Sequence, residues 1–128
     1  MDIILWRHAE AEDLASSDLA RRLTPRGVRQ AERIATWLKS QMGAVCKWRV
    51  IASPAVRAQQ TAAALEMPVE TAASIAPGAD PSAIFEAAGW PDNNRNVIIV
   101  GHQPTLGMAA GLLINGLALA WWWSGRST

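Results

Sequence analysis

The chain has little of what most metal, redox and disulfide chemistry requires. Its 128 residues include one cysteine, two histidines, no tyrosine and one phenylalanine. The lone thiol, Cys46, cannot close an internal disulfide and encodes no cysteine-based metal site, so it reads as an inert, partly buried thiol ahead of a strand. No paired carboxylates stand at ligand spacing beside a histidine, and no glycine-rich nucleotide loop occurs. The sequence therefore implies no metal and no cofactor. An excess of one charge is missing too. A formal net charge of +1 provides no overall field for nucleic acid or an anionic membrane. The apolar runs fall well short of the ~20 residues that span a bilayer. No basic segment precedes a longer apolar stretch at the amino terminus, so no signal peptide is expected and a cytoplasmic location is the simplest reading. No linker, repeat or low-complexity tract divides the chain, which reads as a single domain over residues 1–128, long enough to bury a core.

What is present is half hydrophobic and 18% charged, a globular composition. Apolar runs at Ile3–Trp6, Trp48–Ala52 and Val97–Val100 are near-continuous rather than alternating, as in strands buried on both faces. Helical patterns separate them. Thr24-Pro25 supplies an N-cap with proline at the first helical position. Val28, Ala31, Ile34, Ala35, Leu38 and Met42 then recur at helical spacing, with Gly43 as the stop. Ser53-Pro54 and Asp80-Pro81 repeat the cap-and-proline device, the latter opening a short helix to about Ala88. A fourth helix is expected from about Pro104 to Ile114, with Gly116 as its stop. Val69-Glu70-Thr71 reads as an edge strand and Leu117–Trp123 as a last strand, whose three tryptophans must face a surface or an interface on at least one side. The alternation predicts a three-layer α/β/α domain with a mostly parallel central sheet of about five strands.

The two histidines fall where strands stop: Arg7-His8 after the first strand, and His102 after Val97-Ile98-Ile99-Val100-Gly101. Between them, Val50–Thr61 reads as a strand, a tight turn and a helix carrying Arg57 in its first turn. In open α/β sheets, ligands bind outside the carboxyl ends of the strands. Ten of the twelve basic residues are arginine, the side chain suited to multidentate grip on phosphate. Two histidines and two arginines delivered by three strand ends suggest a nucleophile within an anion-binding cage, the equipment of phosphoryl transfer.

Three motifs, Arg7-His8, Ser53-Pro54-x-x-Arg57-Ala58-x-Gln60-Thr61 and Gly101-His102-x-Pro104, occur in the order and context of the histidine phosphatase superfamily, which the chain resembles from about Met1 to Leu113. Its small size and the stretch Asp18-x-x-Arg21-x-Leu23-Thr24-x-x-Gly27 resemble the SixA-type phosphohistidine phosphatases. The usual Arg-His-Gly reads Arg7-His8-Ala9, which asks the residue after the nucleophile to do without glycine's backbone freedom. The connection before the last strand is reduced to Asn115-Gly116, where relatives carry a longer, basic one.

The resemblance implies a phosphatase working through a phosphohistidine on His8. A neutral imidazole is a competent nucleophile near pH 7, and an adjacent arginine lowers its affinity for a proton. Its second ring nitrogen is expected to donate to a backbone carbonyl. Arg7 and Arg57 are expected to bracket the phosphoryl oxygens, with His102 as a further phosphate ligand and Gly101 letting the backbone turn into the site. Asp18 and Arg21 are expected substrate-side contacts. A proton donor is less defined, with Glu10, Glu12, Asp13, Asp18 and Glu86 as candidates. The 44 residues between Arg57 and His102 leave no room for a large cap, so an open pocket suited to a phosphorylated protein, such as a phosphotransfer domain, is expected. Alternatives are a phosphatase for small phosphomonoesters and a non-catalytic phosphoprotein-binding module. A mutase, which must retain its intermediate in a closed site, fits less well.

Overall fold

Apolar residues on both faces of every central strand require cover on both sides, and four helices supply it. In the computed structural model, residues 2–44, 47–90 and 95–113 are described in full, and residues 119–122 by their backbone. The strands are β1 (Ile3–Arg7), β2 (Trp48–Ala52), β3 (Val69–Thr71), β4 (Asn96–Gly101) and β5 (Leu119–Trp122). All four pairings are parallel, in the order β3-β2-β4-β1-β5. The helices are α1 (Pro25–Met42), α2 (Val56–Ala63), α3 (Pro81–Ala88) and α4 (Thr105–Leu113). The expected edge strand is β3, pairing through Val50 with Val69.

Successive residues of a strand point to opposite faces, and the core divides accordingly. Ile4, Trp6, Val50, Ala52, Ile98 and Val100 pack with Ala35, Leu38 and Met42 of α1 and Ala58 and Ala62 of α2. Ile3, Leu5, Ile51, Val97 and Ile99 pack on the other face with Ile84 of α3 and Leu106, Ala109 and Leu113 of α4. Each fully buried valine, leucine or isoleucine among these contributes about 1.5–3 kcal/mol relative to exposure, so the two clusters hold the sheet as the middle of three layers.

The helix signals held in two cases and shifted in a third. Thr24 Oγ1 accepts the Gly27 N–H at 2.9 Å, and Gly43 ends α1 at φ 69°. Asp80 accepts the Ser82 N–H at 2.9 Å, and Gly89 ends α3 in the left-handed region at φ 70°. Ser53, by contrast, does not cap α2. That helix begins at Val56 after an uncapped Ala55, leaving the Ser53 hydroxyl for other partners. The buried stripe of α1 runs through Gly27, Ala31, Ala35, Leu38 and Met42. Val28 lies outside it, exposed, because the flank of α1 that meets the loop at Glu10 is the one bearing Gly27. Cys46, the expected helix end at Ile114 and Gly116, the Asn115-Gly116 connection, residues Leu117 and Ala118, and Trp123 lie outside the described residues.

Candidate active site

The strand order puts β2, β4 and β1 side by side, so the three motif-bearing segments leave the sheet as neighbours. Register aligns their ends: Arg7 pairs with Gly101, and Ala52 with Val100. The ladder continues one step past the strands, with His8 N–H donating to Gly101 O at 3.1 Å and Ser53 N–H to Val100 O at 3.0 Å. Sheet hydrogen bonds thus bring His8, Ser53 and His102 to one level at the carboxyl edge.

His8 is held by both ring nitrogens. Nδ1 lies 2.8 Å from Ala9 O, a carbonyl that can only accept, so Nδ1 carries the proton. Nε2 receives the Nε–H of Arg57 at 3.3 Å, which requires a free lone pair there. The two contacts select the same tautomer, with Nε2 as the available nucleophile. Burial, the larger effect, together with the charges of Arg57 and then Arg7, lowers the His8 pKa to about 4, against a partial offset from the Ala9 carbonyl. The sequence-adjacent arginine is therefore not the main cause: removal from water is, and Arg57 from α2 outweighs Arg7. Ala9 needs no glycine-only conformation. It is buried without a positive φ, its N–H donating to Thr61 Oγ1 at 3.0 Å.

Arg57, 4% exposed in the first turn of α2, is locked by all three nitrogens. Besides His8, it donates from Nη1 to Asp18 O at 2.7 Å and from Nη2 to Asp18 Oδ2 at 3.1 Å. Arg21 donates to the other Asp18 oxygen at 3.1 Å and to Glu12 O at 2.6 Å. Hydrogen bonds from Arg21 and then Arg57 hold the Asp18 carboxyl below the usual carboxylate range. Asp18 and Arg21 thus belong to the cage's rim, with Asp18 bridging the two arginines. Arg7 ends β1 half-buried, close enough that its charge acts on both histidines, and burial lowers its own pKa.

His102 is 5% exposed, with its ring centroid 5.1 Å from that of His8 and the rings inclined at 54°. Its Nε2 lies 2.7 Å from Ser53 Oγ. Its Nδ1 is buried with no hydrogen-bond partner among the described residues. Burial first, then the neighbouring His8 and Arg57, lowers its pKa to about 3. Gly101 needs no glycine-only conformation: its φ is not positive, and a Cβ would meet Leu106 at an ordinary 3.5 Å. The turn into the site begins only after β4 ends, so the tight-turn expectation for Gly101 does not hold.

Several residues of the motifs act as scaffolding that the sequence reading left without a role. Thr61 accepts from Ala9 N–H and donates to Arg57 O at 2.7 Å, tying the segment after β1 to α2. Gln60 Oε1 accepts the Leu23 N–H at 2.7 Å, and Gln30 Oε1 the Glu10 N–H at 3.1 Å. Leu19 O accepts Val56 N–H at 2.9 Å, seating the Asp18 loop on the start of α2. Gly27 lies so close to Glu10 that a methyl group there would overlap the Glu10 carbonyl oxygen. The signal for Gln60 and Thr61 was their place in the Ser-Pro-x-x-Arg motif, but their partners are long-range. Of the acids weighed as proton donors, Asp18 alone is seen bonded to Arg57. Glu10 pairs with Arg26 at 3.6 Å, and Glu12, Asp13 and Glu86 are exposed. Among the described residues, no group of three or more histidine, cysteine or carboxylate side chains could hold a metal ion.

Comparison with known proteins agrees with this geometry. Residues 3–78 match the model of the histidine phosphatase superfamily (branch 1). The chain is 35% identical over 120 residues to a phosphohistidine phosphatase SixA homolog of Haemophilus influenzae, an alignment covering 84% of this chain and 73% of that protein. The solved structure of the protein histidine phosphatase SixA with tungstate superimposes with a TM-score of 0.78 at 26% identity, covering 94% of this chain and 83% of that one. A SixA-type structure from Nakamurella multipartitia is 34% identical with a TM-score of 0.73, covering 86% of this chain and 64% of that one. With its motifs on adjacent strand ends and relatives spanning most of its length, the chain belongs to the histidine phosphatase superfamily, among its SixA-type members.

Proposed function

We propose that the protein is a phosphatase that removes phosphate from phosphohistidine on a cytoplasmic protein, through a phosphohistidine formed on its own His8. The observation that carries this reading is the state of His8: neutral, its proton held at Nδ1 by Ala9 O, and its Nε2 lone pair beside Arg57. The substrate named for the Haemophilus relative, and the oxyanion bound by the SixA neighbour, support the same chemistry.

In the first step, His8 Nε2 attacks phosphorus in line. A new N–P bond forms as the substrate's N–P bond breaks, and the substrate imidazole leaves as a neutral ring once its other nitrogen is protonated. In the second step, water attacks the phosphorus of phospho-His8, its proton passes to solvent, and free phosphate leaves with His8 restored. Arg57, Arg7 and His102 stabilise charge on the phosphoryl oxygens, where aimed donors act most strongly. Asp18 holds the Arg57 fork in place, and Asp18 and Arg21 line the side from which substrate approaches. A good leaving group makes a strong enzyme acid dispensable, in keeping with a cage whose bonded carboxylate, Asp18, is held ionised by two arginines. Between α2 and His102 the described chain forms β3, a short 3-10 turn, α3 and β4, with no cap domain, which favours a protein-borne phosphoryl group over an enclosed metabolite.

The test is intact-protein mass spectrometry under a neutral-to-alkaline quench, after brief exposure to a phosphohistidine-bearing phosphotransfer domain. Wild type should lose the substrate's phosphate and carry an acid-labile phosphate. His8→Ala should do neither. Phosphate left on the substrate by wild type would sink the phosphohistidine reading.

A further inference from the structure

The pairing of Ser53 with His102 has a consequence for which form of the second imidazole reaches the phosphate. A neutral imidazole has one donor and one acceptor nitrogen, and only a donor can bind a phosphoryl oxygen. His102 Nε2 is committed to Ser53 Oγ at 2.7 Å, which leaves Nδ1 as the nitrogen for the ligand. Nδ1 is buried without a hydrogen-bond partner among the described residues, and leaving such a group unsatisfied costs about 1–3 kcal/mol. In a native protein a group of this kind calls for an explanation, and a ligand oxygen would satisfy it.

The direction of the Ser53 bond decides whether Nδ1 can donate. Ser53 is fully buried, and its Oγ already accepts the Ala55 N–H at 3.1 Å. With one lone pair so occupied, the hydroxyl still has its proton to give. Donation to His102 Nε2 leaves the lone pair on Nε2 and the proton on Nδ1. The reverse arrangement would leave the proton of a fully buried serine without a hydrogen-bond partner among the described residues and give Nδ1 a lone pair, which repels an anion rather than binding it.

We propose that Ser53 is a positioning residue that donates its hydroxyl proton to His102 Nε2 and so fixes His102 as the Nδ1–H tautomer, a neutral donor to the phosphoryl group. The inference rests on the reading of His102 as a phosphate ligand. It explains why the Ser-Pro segment does not cap α2: its hydroxyl faces His102, and α2 starts uncapped at Val56. It also pairs the two histidines by mechanism. Each is Nδ1-protonated, His8 by a carbonyl that accepts from Nδ1 and His102 by a hydroxyl that donates to Nε2, so that one presents a lone pair and the other a proton.

Two histidines in the chain make the experiment tractable, because selective ¹⁵N-histidine labelling yields only two rings to assign. Two-bond ¹H–¹⁵N spectra would be recorded at pH 7.5 on wild type, Ser53→Ala and Ser53→Thr, with and without tungstate, and turnover of a phosphohistidine-bearing phosphotransfer domain followed alongside. Wild type should show His102 protonated at Nδ1, and that signal should move on adding tungstate. Ser53→Ala should give a tautomer mixture, with tungstate binding weakened and turnover reduced about ten- to a hundred-fold, while His8 keeps its tautomer. Ser53→Thr, retaining the hydroxyl, should restore both the tautomer and most of the turnover. His102 protonated at Nε2 in wild type, or an unchanged tautomer in Ser53→Ala, would overturn the proposal. The wild-type spectrum alone suffices even if a variant fails to fold. An Nδ1–H tautomer that ignores tungstate would instead overturn the phosphate-ligand reading, with Ser53's hold on the ring intact.

Discussion

Replacing Arg57 with alanine tests the cage at the point where the structure concentrates the most donors. A guanidinium has five N–H donors, and Asp18 takes one from each terminal nitrogen. In the proposed mechanism the Nε–H now on His8 Nε2 would be released as that lone pair attacks phosphorus, so it and the remaining terminal protons would follow the phosphoryl oxygens into the transition state. Loss of one such aimed donor typically costs about 2.7–4 kcal/mol, or 10²–10³ in rate. Arg57 offers more than one and also helps keep His8 neutral, so kcat for Arg57→Ala should fall by at least about 10³. Folding should change less. The Asp18 carboxylate left behind is 56% exposed and can hydrate, but Arg57 is buried, so its packing and three hydrogen bonds are lost, and stability should fall by about 1–3 kcal/mol. The thermal midpoint should drop by roughly 5–15 °C with the fold kept. Arg57→Lys keeps the charge without the planar fork, and should recover only part of the loss. Single-turnover dephosphorylation of the phosphotransfer domain, with melts on the same preparations, separates these effects. A fall in kcat of less than tenfold, or a loss carried wholly by KM, would mean that Arg57 binds ground and transition states alike, and the reasoning would fail.

Other outcomes follow from the same geometry. The His8 and His102 rings should titrate by NMR far below an ordinary histidine, near 4 and 3. Because both pKa values are depressed in the folded state, neither ring affects stability above about pH 6.5. Below it the unfolded chain takes up protons that the folded chain refuses, and stability should fall by up to about 2 kcal/mol per ring by pH 5; a flat urea midpoint between pH 7 and 5 would contradict this. Gly27→Ala should destabilise by about 1–3 kcal/mol in urea titrations, because the added methyl overlaps backbone rather than a movable side chain. Asp18→Ala should lower turnover of the phosphoprotein about two- to tenfold while leaving the His8 tautomer unchanged, and a loss as deep as that of Arg57→Ala would show that its role had been understated.

Much of the architecture was legible because local chemistry and fold agree. Near-continuous apolar runs indicated strands covered on both faces, and Thr24-Pro25 and Asp80-Pro81 marked true helix starts. His8, Arg57 and His102 were visible as candidates because each stands just past a buried strand. Ser53-Pro54 looked like the same cap, yet its hydroxyl turned to His102, a partner 49 residues away. Val28 fitted the helical period but not the buried face, which close contact between Gly27 and Glu10 determines.

By itself the sequence determined the alternation of strands and helices, the helix ends at Gly43 and near Ala88, and the positions where chemistry could lie, since these follow from periodicity, capping and backbone sterics over a few residues. Tertiary structure decided the rest. Strand order made β2, β4 and β1 neighbours, removal from water more than an adjacent arginine lowered the His8 pKa, and Ala9, Arg57 and Asp18 set which His8 nitrogen carries the proton and which Arg57 donors are held. Those are properties of distance and solvent exclusion, and a linear pattern contains neither until the chain has folded.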